Sequence, residues 1–168
     1  MGWIFHGSNP HFLSVEMNES NFMVGTWNLV SFSVVRQQGS ISKQTYPFGS
    51  DAKGRIIYSS NGYMNATLSH KKRPSFSVVL EQSHLASLEE KGMAFDTYMN
   101  YTGTYLIFPK DRQRGIIEHH VDMAFNPSMI GSIQRRHYKI LQNKMLELSY
   151  NWKNNDHRQY TFQLLWKK

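Results

Sequence analysis

The stretch Gly25-Thr26-Trp27, followed at once by Leu29-Val30-Ser31-Phe32-Ser33-Val34-Val35, constrains this chain more than any other. A glycine, one spacer and a tryptophan opening a long β-branched strand is how a small antiparallel barrel begins. The glycine lets the backbone enter closely beneath the barrel, and the indole is large enough to plug a closed end. A Gly-x-Trp by itself is common. Its weight here comes from the turn-separated strands that follow, almost to the last residue.

Alternation and chain breakers place those strands. The first runs from about Val24 to Arg36 and turns at Gln37-Gln38-Gly39-Ser40; Ile41 to Tyr46 returns until Pro47-Phe48-Gly49. Proline ends that strand because it cannot donate to a ladder. Arg55 to Tyr58 is extended, and Asn61-Gly62 predicts a two-residue primed turn into Tyr63–His70, with Met64, Ala66 and Leu68 on one face. Lys71 to Gln82 stays open between a solvated loop and a short strand at Phe76–Leu80. A single helix is predicted over about 84–99: Leu85, Leu88, Gly92, Phe95 and Met99 share one face and Ser83 is a plausible N-cap. Its stripe is expected to be buried on the sheet, lying across a barrel mouth. Strands resume at Tyr101–Phe108, Gly115–Phe125, Ile133–Leu141 (turning at Gln142-Asn143), Lys144–Trp152 and His157–Trp166. Eight to ten strands in meander order predict a mainly β fold, closed into a barrel so that no edge is left open.

The 168 residues suit one domain, taken as 21–168, with 1–20 as a loosely held extension in which Trp3 and Phe5 are apolar and Met17 precedes the first strand. Cysteine is absent, which removes disulfides and thiolate chemistry. Residues 1–20 show no secretory signal, and no run approaches the roughly 18 apolar residues of a membrane span. A cytoplasmic location with no membrane partner is therefore expected. Asn18, Asn65 and Asn100 stand in sequons expected to carry no sugar. The formal charge of +7 is scattered over Lys71-Lys72-Arg73, Arg112 and Arg114, Arg135-Arg136 and Lys167-Lys168, which points to no specific nucleic-acid site.

The run Tyr46-Pro47-Phe48-Gly49-Ser50-Asp51-Ala52-Lys53-Gly54-Arg55-Ile56-Ile57-Tyr58, followed by Asn61-Gly62-Tyr63-Met64, resembles the lipocalin-like domain family of small bacterial and fungal proteins. Gly25-Thr26-Trp27-Asn28-Leu29-Val30-Ser31-Phe32 fits the same pattern, as do Tyr101-Thr102-Gly103-Thr104-Tyr105, His119-His120-Val121 with Asn126-Pro127, and Gly131 leading to Arg135-Arg136. The resemblance spans roughly Val24 to Trp166. It implies an antiparallel lipocalin-like, calycin-type barrel with a helix inserted between its halves. It implies no firm activity: related barrels bind small apolar molecules or assist isomerisation or cyclisation. Residues 1–20 lie outside the pattern.

A barrel of about eight strands is just wide enough for one small ligand. On Gly115–Phe125 the apolar set is Ile117, Val121, Met123 and Phe125, and His119 is in register with it, opposite Glu118, His120 and Asp122. His119 is thus the leading interior polar candidate, against the plainer role of a hydrogen-bonded core histidine. Arg135 and Arg136 fall on opposite faces of the next strand, and periodicity does not choose between them. Whichever points inward needs a partner: a ligand carboxylate, Glu147 on the following strand, or a structural stack on an aromatic ring. Tyr63, Tyr101 and Tyr105 offer hydroxyls, and Met64 and Met99 an adaptable wall or core filling.

The leading reading is a binding protein for a small apolar or amphipathic ligand. The expected lining is Trp27, Met64, Tyr105, His119, Met123 and Arg136, with no cofactor, no metal and no assigned catalytic residue. His119 and His120 are adjacent on a strand and cannot chelate one metal. Haem on one histidine carries no mark in the sequence. One rival is an isomerase or cyclase with His119 as base and a tyrosine as acid. Another is a side-chain-filled barrel acting through its surface. Self-association as a homodimer stays open.

Overall fold

The computed structural model describes residues 22–38, 41–142, 144–156 and 158–168. The 1–20 extension with Trp3, Phe5 and Met17 lies outside the described residues, as do Gly39, Ser40, Asn143 and His157, which the sequence reading put in turns and at a strand start. The described strands are β1 (Gly25–Gln38), β2 (Ile41–Thr45), β3 (Lys53–Tyr58), β4 (Tyr63–Ser69), β5 (Tyr98–Pro109), β6 (Arg114–Ala124), β7 (Ile133–Leu141), β8 (Met145–Lys153) and β9 (Gln159–Lys167). All pair antiparallel, in the order β2-β1-β3-β4-β5-β6-β7-β8-β9, and β1 also pairs with β9. The predicted barrel is there: β1 and β3 to β9 close a ring of eight.

Closure depends on the length of β1. Its first residues pair with β3 on one side, from Gly25 opposite Tyr58 to Asn28 opposite Arg55. Its other edge pairs with β9 from Asn28 to Gln37. Farther along, the β3-side edge is taken by β2, from Val34 opposite Thr45 to Gln38 opposite Ile41. β2 is exposed throughout, a hairpin arm standing off the ring.

At the closed end, Trp27 is wholly buried and its Nε1–H donates to Met23 O at 2.8 Å. Phe22 lies against the indole at a centroid distance of 5.5 Å, and Lys168 Nζ sits 5.1 Å from the Trp27 ring while donating to Phe22 O at 3.0 Å. Gly25 has φ +128°, so the chain turns into β1 through a conformation that other residues adopt only with strain. The Gly-x-Trp reading is thus seen in place, as a plug tied to both chain segments that meet there. Above it Tyr58, Met64, Tyr105, Ile117, Tyr138 and Leu146 fill the lower half of the barrel.

Two local expectations are corrected and one open segment is decided. The β3–β4 connection runs over Ser59–Gly62 rather than a two-residue turn, because Ser59 takes over the hydrogen bonding: its Oγ–H donates to Tyr63 O at 2.9 Å and its Oγ accepts from Tyr63 N–H at 3.1 Å. The open Phe76–Leu80 segment forms no strand. The helix α1 covers only Leu88–Asp96, preceded by a 3-10 helix over Leu80–Leu85. Ser87, not Ser83, caps it in a reciprocal box with Glu90, which fixes Ser87 in extended backbone and prevents an earlier start. None of its residues is buried, and Leu88 is 87% exposed, so the predicted buried stripe is absent.

Candidate functional site

A cavity of about 360 Å³ occupies the upper half of the barrel. All eight ring strands contribute to its wall: Phe32, Ile56, Ala66 and Leu68, Met99 and Tyr101, His119, Gln134 and Arg136, Leu148 and Tyr150, and Phe162, Leu164 and Trp166. Pro47 and Phe48 from the β2–β3 loop and Met129 from the short helix between β6 and β7 line the same space. The cavity therefore opens toward the end of the barrel opposite the Trp27 plug. Its volume falls in the lower part of the roughly 300–1,000 Å³ range typical of small-molecule pockets. A shallower groove of about 710 Å³ lies on the outer wall among Phe108, Arg114, His137, Lys139 and Glu147. Its lining is mixed, with Lys110, Arg114, Lys139 and Glu147 charged, and His119 and Arg136 are not part of it.

Those inner polar groups form one connected set. His119 is 1% exposed, and both ring nitrogens are engaged: Tyr58 Oη lies 2.8 Å from Nε2 and Tyr101 Oη 2.9 Å from Nδ1. Burial, with the Arg136 charge and His120 adding to it, pushes the imidazole pKa down to about 3, so His119 is neutral at physiological pH. Burial likewise raises the phenols of Tyr58 and Tyr101; nearby Arg136 opposes the rise in both. A neutral imidazole donates from one nitrogen and accepts at the other. One tyrosine therefore donates to His119 and the other receives from it.

Arg136 is the inward arginine. It is half-buried in the cavity wall, and its guanidinium carbon lies 4.0 Å from the centre of the Tyr150 ring. Nη1 donates to Arg135 O at 3.0 Å and Nη2 to Gln134 Oε1 at 3.1 Å. Among the described residues no carboxylate forms an ion pair with it. Glu147 stands opposite Lys139 and alternates with the buried Leu146 and Leu148, on the outer face and away from the cavity. Arg135 faces outward too, where its Nε donates to Glu118 Oε1 at 2.8 Å and Nη2 reaches the same oxygen. That pairing, the largest influence, holds the Glu118 carboxyl below its usual range, and it explains a buried carboxylate on an outer face.

The sequence candidates divide accordingly. His119 and Arg136 line the cavity. Trp27, Met64 and Tyr105 are buried but belong to the packed lower half, and Tyr105 Oη–H donates to Ser59 O at 2.9 Å. Met123 is a correction: it is 64% exposed and points out of the barrel. The β5–β6 register slips between Thr102/Met123 and Gly103/Val121, so Asp122 is an extra residue and the alternation beyond Val121 changes phase. Gly103 makes room for this bulge, since a Cβ there would meet His120 O at 1.9 Å. Phe125 is carried outward with Met123. Tyr63 is exposed, whereas Tyr101 and Met99 line the cavity. Sequence reasoning did not pick out Tyr58, Gln134, Tyr150 or Trp166 as part of this region. Tyr150 falls in phase with the inward Leu146 and Leu148 along β8, a signal that alternation supplies, and Trp166 stands opposite Leu146, a signal that register supplies.

No group of three metal-binding side chains is found among the described residues. No helix among them is long and apolar enough to cross a membrane. A family model described as a lipocalin-like domain matches residues 24–168. The comparison with curated proteins gives no match. Among solved structures, a redesigned β-barrel is similar at 9% identity over 87% of this chain and 92% of that one, with a TM-score of 0.36.

Proposed function

The chain belongs to the lipocalin-like domain family, and from that premise we propose that its barrel binds a small apolar or amphipathic molecule. The observation that carries this reading is the 360 Å³ cavity: a wall drawn from every ring strand, mostly apolar, with a few fixed polar groups. Affinity would come from apolar area removed from water, about 25 cal/mol per Å² before ordering costs. A barrel filled by its own side chains would leave no such space. The isomerase or cyclase reading needs an imidazole with a free lone pair, and both His119 nitrogens are already engaged by tyrosines.

The test is a fluorescence titration with phenylnaphthylamine, an uncharged apolar probe, on the protein and on Ala66→Phe. Ala66 is 4% exposed and faces the cavity, so a ring at this position takes up part of its volume and narrows it. Saturable one-to-one binding that falls about tenfold or more in the narrowed variant, with thermal stability retained, is the expected result. No binding, or binding unaffected by narrowing, overturns the proposal; the second outcome would place the probe on the outer wall.

A further inference from the structure

We propose that the ligand of this cavity carries a carboxylate, held by Arg136 and Tyr101, with its apolar remainder trailing toward the open end. The inference rests on the binding reading above and adds the chemical class of the ligand's head.

Tyr58 is 1% exposed, and His119 Nε2 is the hydrogen-bond partner of its hydroxyl. If Tyr58 received a proton from His119, its own O–H would be buried with no acceptor, at a cost comparable to a lost hydrogen bond. The satisfied arrangement has Tyr58 donating to Nε2 and the protonated Nδ1 donating to Tyr101 Oη. That leaves the Tyr101 O–H free to donate, and Tyr101 lines the cavity. The histidine thus acts as a relay that fixes the direction of the tyrosine hydroxyl; it does not itself meet the ligand as a base.

Two further side chains of the wall, Arg136 and Trp166, offer only donors. Arg136 has only donors and a full positive charge that no carboxylate of the described residues balances by an ion pair. Gln134 is used at both ends: its Oε1 accepts from Arg136, and its Nε2 donates to Ser132 Oγ at 2.7 Å. Trp166, also in the wall, has a buried indole N–H without a partner among the described residues. The Tyr101 O–H and the Trp166 N–H, beside one cation with no ion-pair partner among the described residues, select an acceptor-only, singly charged head, and a carboxylate is the compact group that meets this description. A dianionic head would leave a negative charge unbalanced, because among the described residues no second cation lines the space. Arg136 stands two residues deeper along β7 than Gln134, below the loop residues Phe48 and Met129, so the head enters first.

Displacement of phenylnaphthylamine by dodecanoate and by dodecanol, which share the same tail, reads the head-group preference directly. Wild-type protein is expected to prefer the acid by about tenfold or more. Arg136→Met keeps a stem against Tyr150 and is expected to bind both alike, at the affinity wild type has for the alcohol. Arg136→Lys restores part of the preference, and Tyr101→Phe lowers it severalfold. Equal displacement by acid and alcohol in wild type overturns the inference while leaving the binding reading in place. A preference that survives in Arg136→Met, or a variant that loses acid and alcohol equally, also overturns it, the latter by assigning Arg136 to structure. Failure of the probe itself to bind removes the binding reading and this inference together.

Discussion

Replacing His119 by Phe should change how the stability of the barrel responds to pH, and the size of the change follows from the burial of the imidazole. The native pKa is about 3 against an ordinary 6.5, so between these values the unfolded chain binds a proton that the native chain refuses. Stability from this group is therefore complete above about pH 6.5 and drains away as the pH falls toward 3. From about pH 7 to pH 5 the unfolded imidazole goes from mostly neutral to almost fully protonated while the native one stays neutral. That costs about 2 kcal/mol at 1.36 kcal/mol per unit. The phenylalanine variant lacks this loss. It is also less stable at pH 7, because Tyr58 and Tyr101 lose their shared partner, at about 1–3 kcal/mol for each hydroxyl left buried and unpaired. Urea denaturation of both proteins at the two pH values measures the difference. Glu118, Asp51 and Asp111, whose native pKa values are also depressed, weaken both proteins alike on acidification and cancel. Equal losses in wild type and variant would refute the reasoning, since they would mean that His119 takes up its proton in the native state as readily as in the unfolded one.

Gly103→Ala should destabilise the barrel by about 2 kcal/mol or more in thermal denaturation, because the new methyl meets the backbone of His120 and the bulge cannot move away from it. Trp27→Phe should cost about 2–3 kcal/mol in urea denaturation, through the lost indole volume and the unpaired Met23 carbonyl, while leaving the cavity above it intact. Leu88→Ser should fall within about 0.5 kcal/mol of wild type, since the side chain is 87% exposed; a larger loss would show that α1 is covered.

The barrel was legible because its signals are local and repeated. Pro47, Asn126-Pro127 and Pro109 end strands by removing a donor or bending the chain, and alternation on β4 put Met64, Ala66 and Leu68 on the buried face. The Trp27 plug could be read from Gly25-Thr26-Trp27 only together with the turn-separated strands that follow it, since a ring so large with no exposure needs a closed end to pack into. Met123 was misplaced because alternation carries no mark of a bulge. The signal that could have found it is Gly103, on the facing strand, where only a missing side chain allows the His120 carbonyl to approach. The helix was overextended because 3/4 spacing says which residues share a face, not whether anything faces them; the Ser87–Glu90 box sets the real start. His119 and Arg136 were legible as inward candidates, but the Tyr58–His119–Tyr101 set was not. It joins residues 61 and 18 positions apart, and only the closure of the ring brings them together.

The central claim is that this barrel takes an acid-headed apolar molecule into its interior, head down. A crystal of the protein grown with ω-bromododecanoate tests it through the anomalous signal of the bromine. The account predicts a bromine peak at the open end, near Phe48 and Met129, with carboxylate density against Arg136 and Tyr101. A bromine beside Arg136, or on the outer wall of the barrel, would contradict it.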